Sequence, residues 1–115
     1  VTQLDHGFNI EWQYRNPSRT SCFSDGECID EDDGFEWCVN APAIDSQGTV
    51  YVNAEDGIMY AIGQGGRLLD RLNLGGPLGA AYTPVAIDSQ GRVYAQKGGH
   101  LFAVGGDWPR KRASR

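Results

Sequence analysis

Ile44-Asp45-Ser46-Gln47-Gly48-Thr49-Val50-Tyr51-Val52-Asn53 is written a second time as Ile87-Asp88-Ser89-Gln90-Gly91-Arg92-Val93-Tyr94-Ala95-Gln96. Seven of the ten positions are identical at an offset of 43, too many for chance in a chain this short. Ile58-Met59-Tyr60-Ala61-Ile62-Gly63 then matches His100-Leu101-Phe102-Ala103-Val104-Gly105 at an offset of 42, so one residue has been lost from the turn between the matched segments. A period of this length marks an architecture built from repeated supersecondary units.

Each copy carries strand chemistry. Val50, Tyr51 and Val52 are β-branched or aromatic, as are Val93 and Tyr94. Asp45-Ser46-Gln47-Gly48 and Asp88-Ser89-Gln90-Gly91 have the residues of a type I turn. Aspartate there caps its own backbone, and glycine takes the left-handed conformation that follows. Glu55-Asp56-Gly57 and Lys97-Gly98-Gly99 are tight hairpin signals, and Gln64-Gly65-Gly66 closes a further strand. No helical periodicity with caps interrupts them.

The reading is therefore all-β, with four short antiparallel strands per unit. In the first unit these are Cys38 to Ile44 (innermost), Thr49 to Ala54, Ile58 to Ile62 and Arg67 to Leu74 (outermost). In the second, Tyr82 to Ile87, Arg92 to Gln96 and His100 to Val104 fill three places, and the fourth is missing. Phe8 to Tyr14 reads as an outermost strand with no unit before it. A four-stranded antiparallel unit of this length is the size of one β-propeller blade, whose two faces need neighbouring blades for cover. The chain divides into 1–16, the outer strand of a preceding blade; 17–37, an acidic disulfide-bearing loop; 38–80, a full blade; 81–106, a blade lacking its outer strand; and 107–115, a basic tail.

That makes about two and a third blades, where closed propellers use about four to eight. Three arrangements are expected to compete: the C-terminal piece of a longer propeller, which is favoured; a ring of several copies; and a smaller sandwich. Val1 in place of Met fits a processed or partial chain, and any signal peptide is expected to be absent or already removed.

Pro42-Ala43-Ile44-Asp45-Ser46-Gln47-Gly48-Thr49-Val50-Tyr51-Val52 and Glu55-Asp56-Gly57-Ile58-Met59-Tyr60-Ala61-Ile62 resemble the pyrroloquinoline-quinone-like propeller repeat. The resemblance covers residues 8–16 and about 38–105. It implies a propeller, and it occurs both in quinoprotein dehydrogenases and in cofactor-free scaffolds. The tryptophan that commonly ends the outer strand of that repeat is present as Trp12 but is Asp70 in the first full unit, and His100 stands where an Asp-Gly pair belongs. The adjacent cysteines typical of the dehydrogenases have no counterpart, so none of their catalytic chemistry transfers to a residue of this chain.

Charge limits the partners. A net charge of −5 argues against general nucleic-acid binding, which needs a basic surface. No run approaches the roughly 18 apolar residues of a membrane span. Cys22 and Cys28 flank Asp25-Gly26, a hairpin-type turn, so a Cys22–Cys28 bridge and an oxidising compartment are expected. Cys38 is then expected as a buried, inert thiol, or as the partner of a residue outside this chain. Asp25, Glu27, Asp30, Asp32 and Asp33 could supply oxygen ligands to Ca²⁺, but their spacing fails the EF-hand loop. His6 and His100 have no zinc-type grouping with the cysteines.

Phe35, Trp37, Val39 and Ala41 alternate with Glu36, Cys38 and Asn40, a period of two entering the innermost strand. If a ligand sits at the mouth of a central channel, Trp37, Asn40, Tyr82 and Thr83 are the candidates; ordinary packing is the competing use of these side chains. No nucleophile elbow, catalytic triad or phosphate loop is present. The expectation is a non-catalytic binding or scaffolding module, periplasmic, cell-surface or secreted, whose partners are the remaining blades or other subunits. The alternative is a non-catalytic part of a quinone-dependent oxidoreductase. No cofactor is expected; Ca²⁺ or pyrroloquinoline quinone is the alternative.

Overall fold

Four small antiparallel sheets build the chain, as seen in a computed structural model that describes residues 1–30, 37–80 and 83–105. No helix occurs among those residues. The first hairpin pairs β1 (Thr2–Leu4) with β2 (Ile10–Gln13). The second pairs β3 (Thr20–Cys22) with β4 (Cys28–Asp30). The central sheet runs in sequence order through β5 (Ala43–Ile44), β6 (Val50–Asn53), β7 (Ile58–Gly63) and β8 (Arg67–Asn73). The last sheet contains β9 (Ala86–Ile87), β10 (Val93–Lys97) and β11 (His100–Val104), again in sequence order.

The duplicated text folds twice into the same atoms. Between β5 and β6, the Asp45 N–H donates to Thr49 O at 3.0 Å and the Gly48 N–H to Asp45 O at 3.1 Å. Asp45 Oδ1 accepts from the N–H groups of Gln47 and Thr49, both at 2.9 Å. Between β9 and β10 the matching distances are 3.0 and 3.1 Å at the backbone, with Asp88 Oδ1 accepting from Gln90 at 2.9 Å and Arg92 at 3.0 Å. Tyr51 and Tyr94 each donate their hydroxyl to Oδ2 of the aspartate six residues back, at 3.2 and 2.9 Å. Gly48 and Gly91 sit at φ 80° and 79°, a conformation that costs an L side chain energy.

A third turn of this kind joins β1 to β2. The Asp5 N–H donates to Asn9 O at 2.9 Å, the Phe8 N–H donates to Asp5 O at 3.0 Å, and Asp5 Oδ1 accepts from Gly7 at 2.8 Å and Asn9 at 2.9 Å. Phe8 holds φ 62° where the other copies have glycine. The N-terminal segment is thus a hairpin rather than the single strand read from the sequence.

That hairpin reproduces β7–β8. Gln3 pairs with Trp12 and Leu4 with Ile10, with a bulge between the two pairs. Ala61 pairs with Asp70 and Ile62 with Leu68, with a bulge at the same step. Trp12 is therefore the structural counterpart of Asp70.

The core lies in two layers, one on each face of the central sheet. On one face Trp12 (8% exposed) packs with Val50, Val52, Ala54, Tyr60 and Ile62, flanked by Val1 and Tyr14. On the other, Met59 and Leu74 join Val85, Val93 and Ala95 of the last sheet, with Tyr51, Phe102 and Val104 beside them. Period-two alternation along β6 and β7 sends successive side chains into opposite layers.

Three expectations change. The innermost strands shrink to β5 and β9, although a bridge from Val39 to Ala54 continues the first. Pro42 and Pro84 interrupt them, since proline offers no N–H to a ladder. The segment read as a loop over 17–37 contains the paired hairpin β3–β4. Cys38 is exposed rather than buried, because it alternates with the buried Trp37 and so faces the other way. Residues 31–36, 81–82 and 106–115, including all of the basic tail, lie outside the described residues.

Candidate functional site

Asn40 and Thr83, both candidates of the sequence reading, are brought together in a hydrogen-bond network. The Asn40 amide donates to Asn53 Oδ1 at 2.9 Å, to Ala80 O, and to Thr83 O at 3.5 Å. The buried Asn53 amide donates to Thr83 O at 2.9 Å, and the Thr83 hydroxyl donates to Ala80 O at 2.7 Å. The backbone adds Asn40 N–H to Asn53 O at 3.0 Å. These bonds clip the start of the central sheet to the segment that enters the last sheet. Trp37 is buried, and Tyr82 lies outside the described residues. Asn53 was missed in the sequence because it ends a β-strand with nothing nearby in the chain to pair with.

A second polar centre surrounds Asp56, which the sequence offered only as a turn residue. Asp56 is fully buried. Its Oδ2 accepts from Asn16 Nδ2 at 3.2 Å, from the Ser18 hydroxyl at 2.5 Å and from the Tyr60 hydroxyl. Its Oδ1 accepts from the Ile58 N–H at 2.9 Å, and its backbone carbonyl accepts from the Ser21 hydroxyl at 2.6 Å. Burial, then the neighbouring carboxylate, pushes the Tyr60 hydroxyl far above its ordinary pKa, so it stays a donor. Asn16 and Ser18 come from the connection between the first two hairpins, and Ser21 from β3. The centre therefore ties that connection to the central sheet.

The expected disulfide is present: Cys22 is bonded to Cys28, with Cα atoms 4.0 Å apart. The two face each other across β3–β4. The Phe23 N–H donates to Glu27 O at 2.7 Å, which makes the next pair outward the closely spaced, non-hydrogen-bonded kind.

The described acidic candidates do not form a metal-holding group. Asp25 Oδ1 caps its own turn by accepting from the Glu27 N–H at 2.9 Å. Asp30 stands at the far end of β4 and accepts from the Thr20 hydroxyl at 3.0 Å. Asp32 and Asp33 lie outside the described residues. Among the described residues no group of three or more acidic, histidine or cysteine side chains could hold a metal ion.

Asp88 is held low, at about 2: lost hydration works to raise its pKa, but the Arg92 N–H, the Arg92 guanidinium, the Tyr94 hydroxyl and the Gln90 N–H outweigh it. Asp5 is held below its ordinary value, chiefly by the backbone N–H and the side chain of Asn9. Both are turn caps that stabilise hairpins.

A concave site is present among the described residues. Between β8 and the β10–β11 pair lies a groove of about 340 Å³, with Met59, Leu69, Asp70, Leu72, Val93 and Val104 among its walls. It falls in the size range of small-molecule sites.

No protein-family model matches the chain, and no curated protein matches it.

Proposed function

We propose that the chain is a run of β-propeller blades acting as a binding or scaffolding module outside the cytoplasm, with its work done through its sheet faces. The observation that carries this reading is the central sheet, which is covered on both faces by sheets related to it by repeat. The first hairpin supplies Trp12 to one face, and the last sheet supplies Val93 and Ala95 to the other. A sheet that needs a repeat-related neighbour on each side implies the same need at both ends of the stack. The end surfaces agree. Leu4 and Ile10 are exposed on the face of the first hairpin opposite Trp12, and Leu101 is 73% exposed on the outward face of the last sheet. Surfaces of this kind mark interaction sites. The Cys22–Cys28 bridge is compatible with an oxidising, extracellular-type location.

The test is association. At micromolar concentration the 115-residue chain should sediment as a species heavier than one copy, or bind a protein bearing further blades. A stable, monodisperse monomer would overturn the reading. Titration with pyrroloquinoline quinone and Ca²⁺ should give no bound chromophore; a stoichiometric complex would instead favour the oxidoreductase alternative.

A further inference from the structure

The groove beside β8 occupies a place that the same chain fills elsewhere with an indole ring. Trp12 and Asp70 hold equivalent register positions in hairpins that share the same bulge. Trp12 packs against Val50, Val52 and Ile62. The repeat carries these onto Val93, Ala95 and Val104, which all lie in the second core layer, Val93 and Val104 also lining the groove. One change empties the second site: Asp70 stands where the first hairpin has Trp12.

Most of the remaining wall is apolar, with Met59, Leu69 and Leu72 on the central sheet, while Thr49 and Arg71 add polar groups. Asp70 sets the charge. Arg71, next along β8, also lines the groove, but it pairs with Tyr60, so alternation sends its side chain toward the opposite face, where its charge acts on Tyr14. The groove therefore offers a largely apolar space with room for an aromatic ring and a carboxylate at its side.

We propose that this groove binds a small planar aromatic molecule carrying an ammonium group, of the arylalkylamine class, with the ring in the place of the Trp12 indole and the amine toward Asp70. This depends on the register match between the two hairpins and not on how many blades complete a ring.

Tryptamine is the probe. Binding to the full chain, followed by ligand-observed NMR or calorimetry, should saturate at one site with a Kd of about 1 mM, as expected for a ligand of this size. Indole-3-acetate should bind at least about tenfold more weakly, since its carboxylate meets Asp70. Asp70→Asn should retain ring binding while bringing the two ligands to within about threefold of each other. Asp70→Trp should fill the groove from within and abolish tryptamine binding. The proposal fails if tryptamine does not saturate, if Asp70→Trp binds it as the native chain does, or if the amine and the acid bind equally to the native chain.

Discussion

Replacing Asp56 with alanine isolates the polar centre that ties the N-terminal connection to the central sheet. The carboxylate accepts from Asn16, Ser18, Tyr60 and the Ile58 N–H. Hydrogen bonds to a charged acceptor contribute roughly 1.5–3 kcal/mol each. They do not add, because Ser18 and Tyr60 keep each other at 3.0 Å and Tyr60 keeps Asn16 Oδ1 at 3.0 Å. The Ile58 N–H and the Asn16 amide lose the acceptors shown here. Their desolvation, less what is recovered by no longer burying a carboxylate, gives a cost of about 3 kcal/mol. Asp25→Ala is the matched control. It sits in the same turn, with Gly26 donating to Phe23 O as Gly57 donates to Ala54 O, but it is exposed and caps only the Glu27 N–H. Its loss should cost about 1 kcal/mol or less. Urea unfolding followed by tryptophan fluorescence measures both. Equal losses for the two variants would refute the idea that Asp56 carries the tether.

Gly57→Ala should be more damaging still, by at least about 3 kcal/mol, since a Cβ there would meet Gly76 O at 1.8 Å and the backbone holds φ 83°; unchanged thermal unfolding would contradict the packing of that turn. Stability should fall as pH drops from about 4 toward 2. Asp88 is held at about 2 against an ordinary 3.8, so the unfolded chain takes up more protons in that window, and Asp5 acts in the same direction. Asp88→Asn should flatten this acid limb in pH-dependent melting curves. Mass spectrometry without reductant should find Cys22 joined to Cys28 and Cys38 open to alkylation. Reduction should lower stability by about 2 kcal/mol at most, because the closed loop is short.

The hairpins of the two repeat copies were legible because their signals are local. An aspartate, a glycine three residues on and a β-branched run fix a turn and a strand whatever surrounds them, and Asp45 and Asp88 fold accordingly. The Asp5 turn was hidden by Phe8, which occupies a left-handed position usually marked by glycine. The Cys22–Cys28 bridge could be read from the turn between the cysteines. Asp56 could not be read as a buried centre, because its partners Asn16 and Ser18 arrive from a distant connection with no sequence signature. Asn40 and Thr83, chosen as ligand groups, also take part in hydrogen bonds that join two sheets. The replacement of the outer-strand tryptophan by Asp70 was visible in the sequence. That it leaves a groove requires the register of two hairpins and the positions of Val93 and Val104.

The stacking of repeat-related sheets on both faces of the central sheet is tested most directly by nuclear Overhauser contacts in the intact chain. Trp12 indole protons should show contacts to the methyls of Val50, Val52 and Ile62, while the Met59 methyl shows contacts to Val85 and Val93. Contacts from Trp12 and Met59 to one shared set of side chains, or no contacts from Trp12 at all, would contradict it.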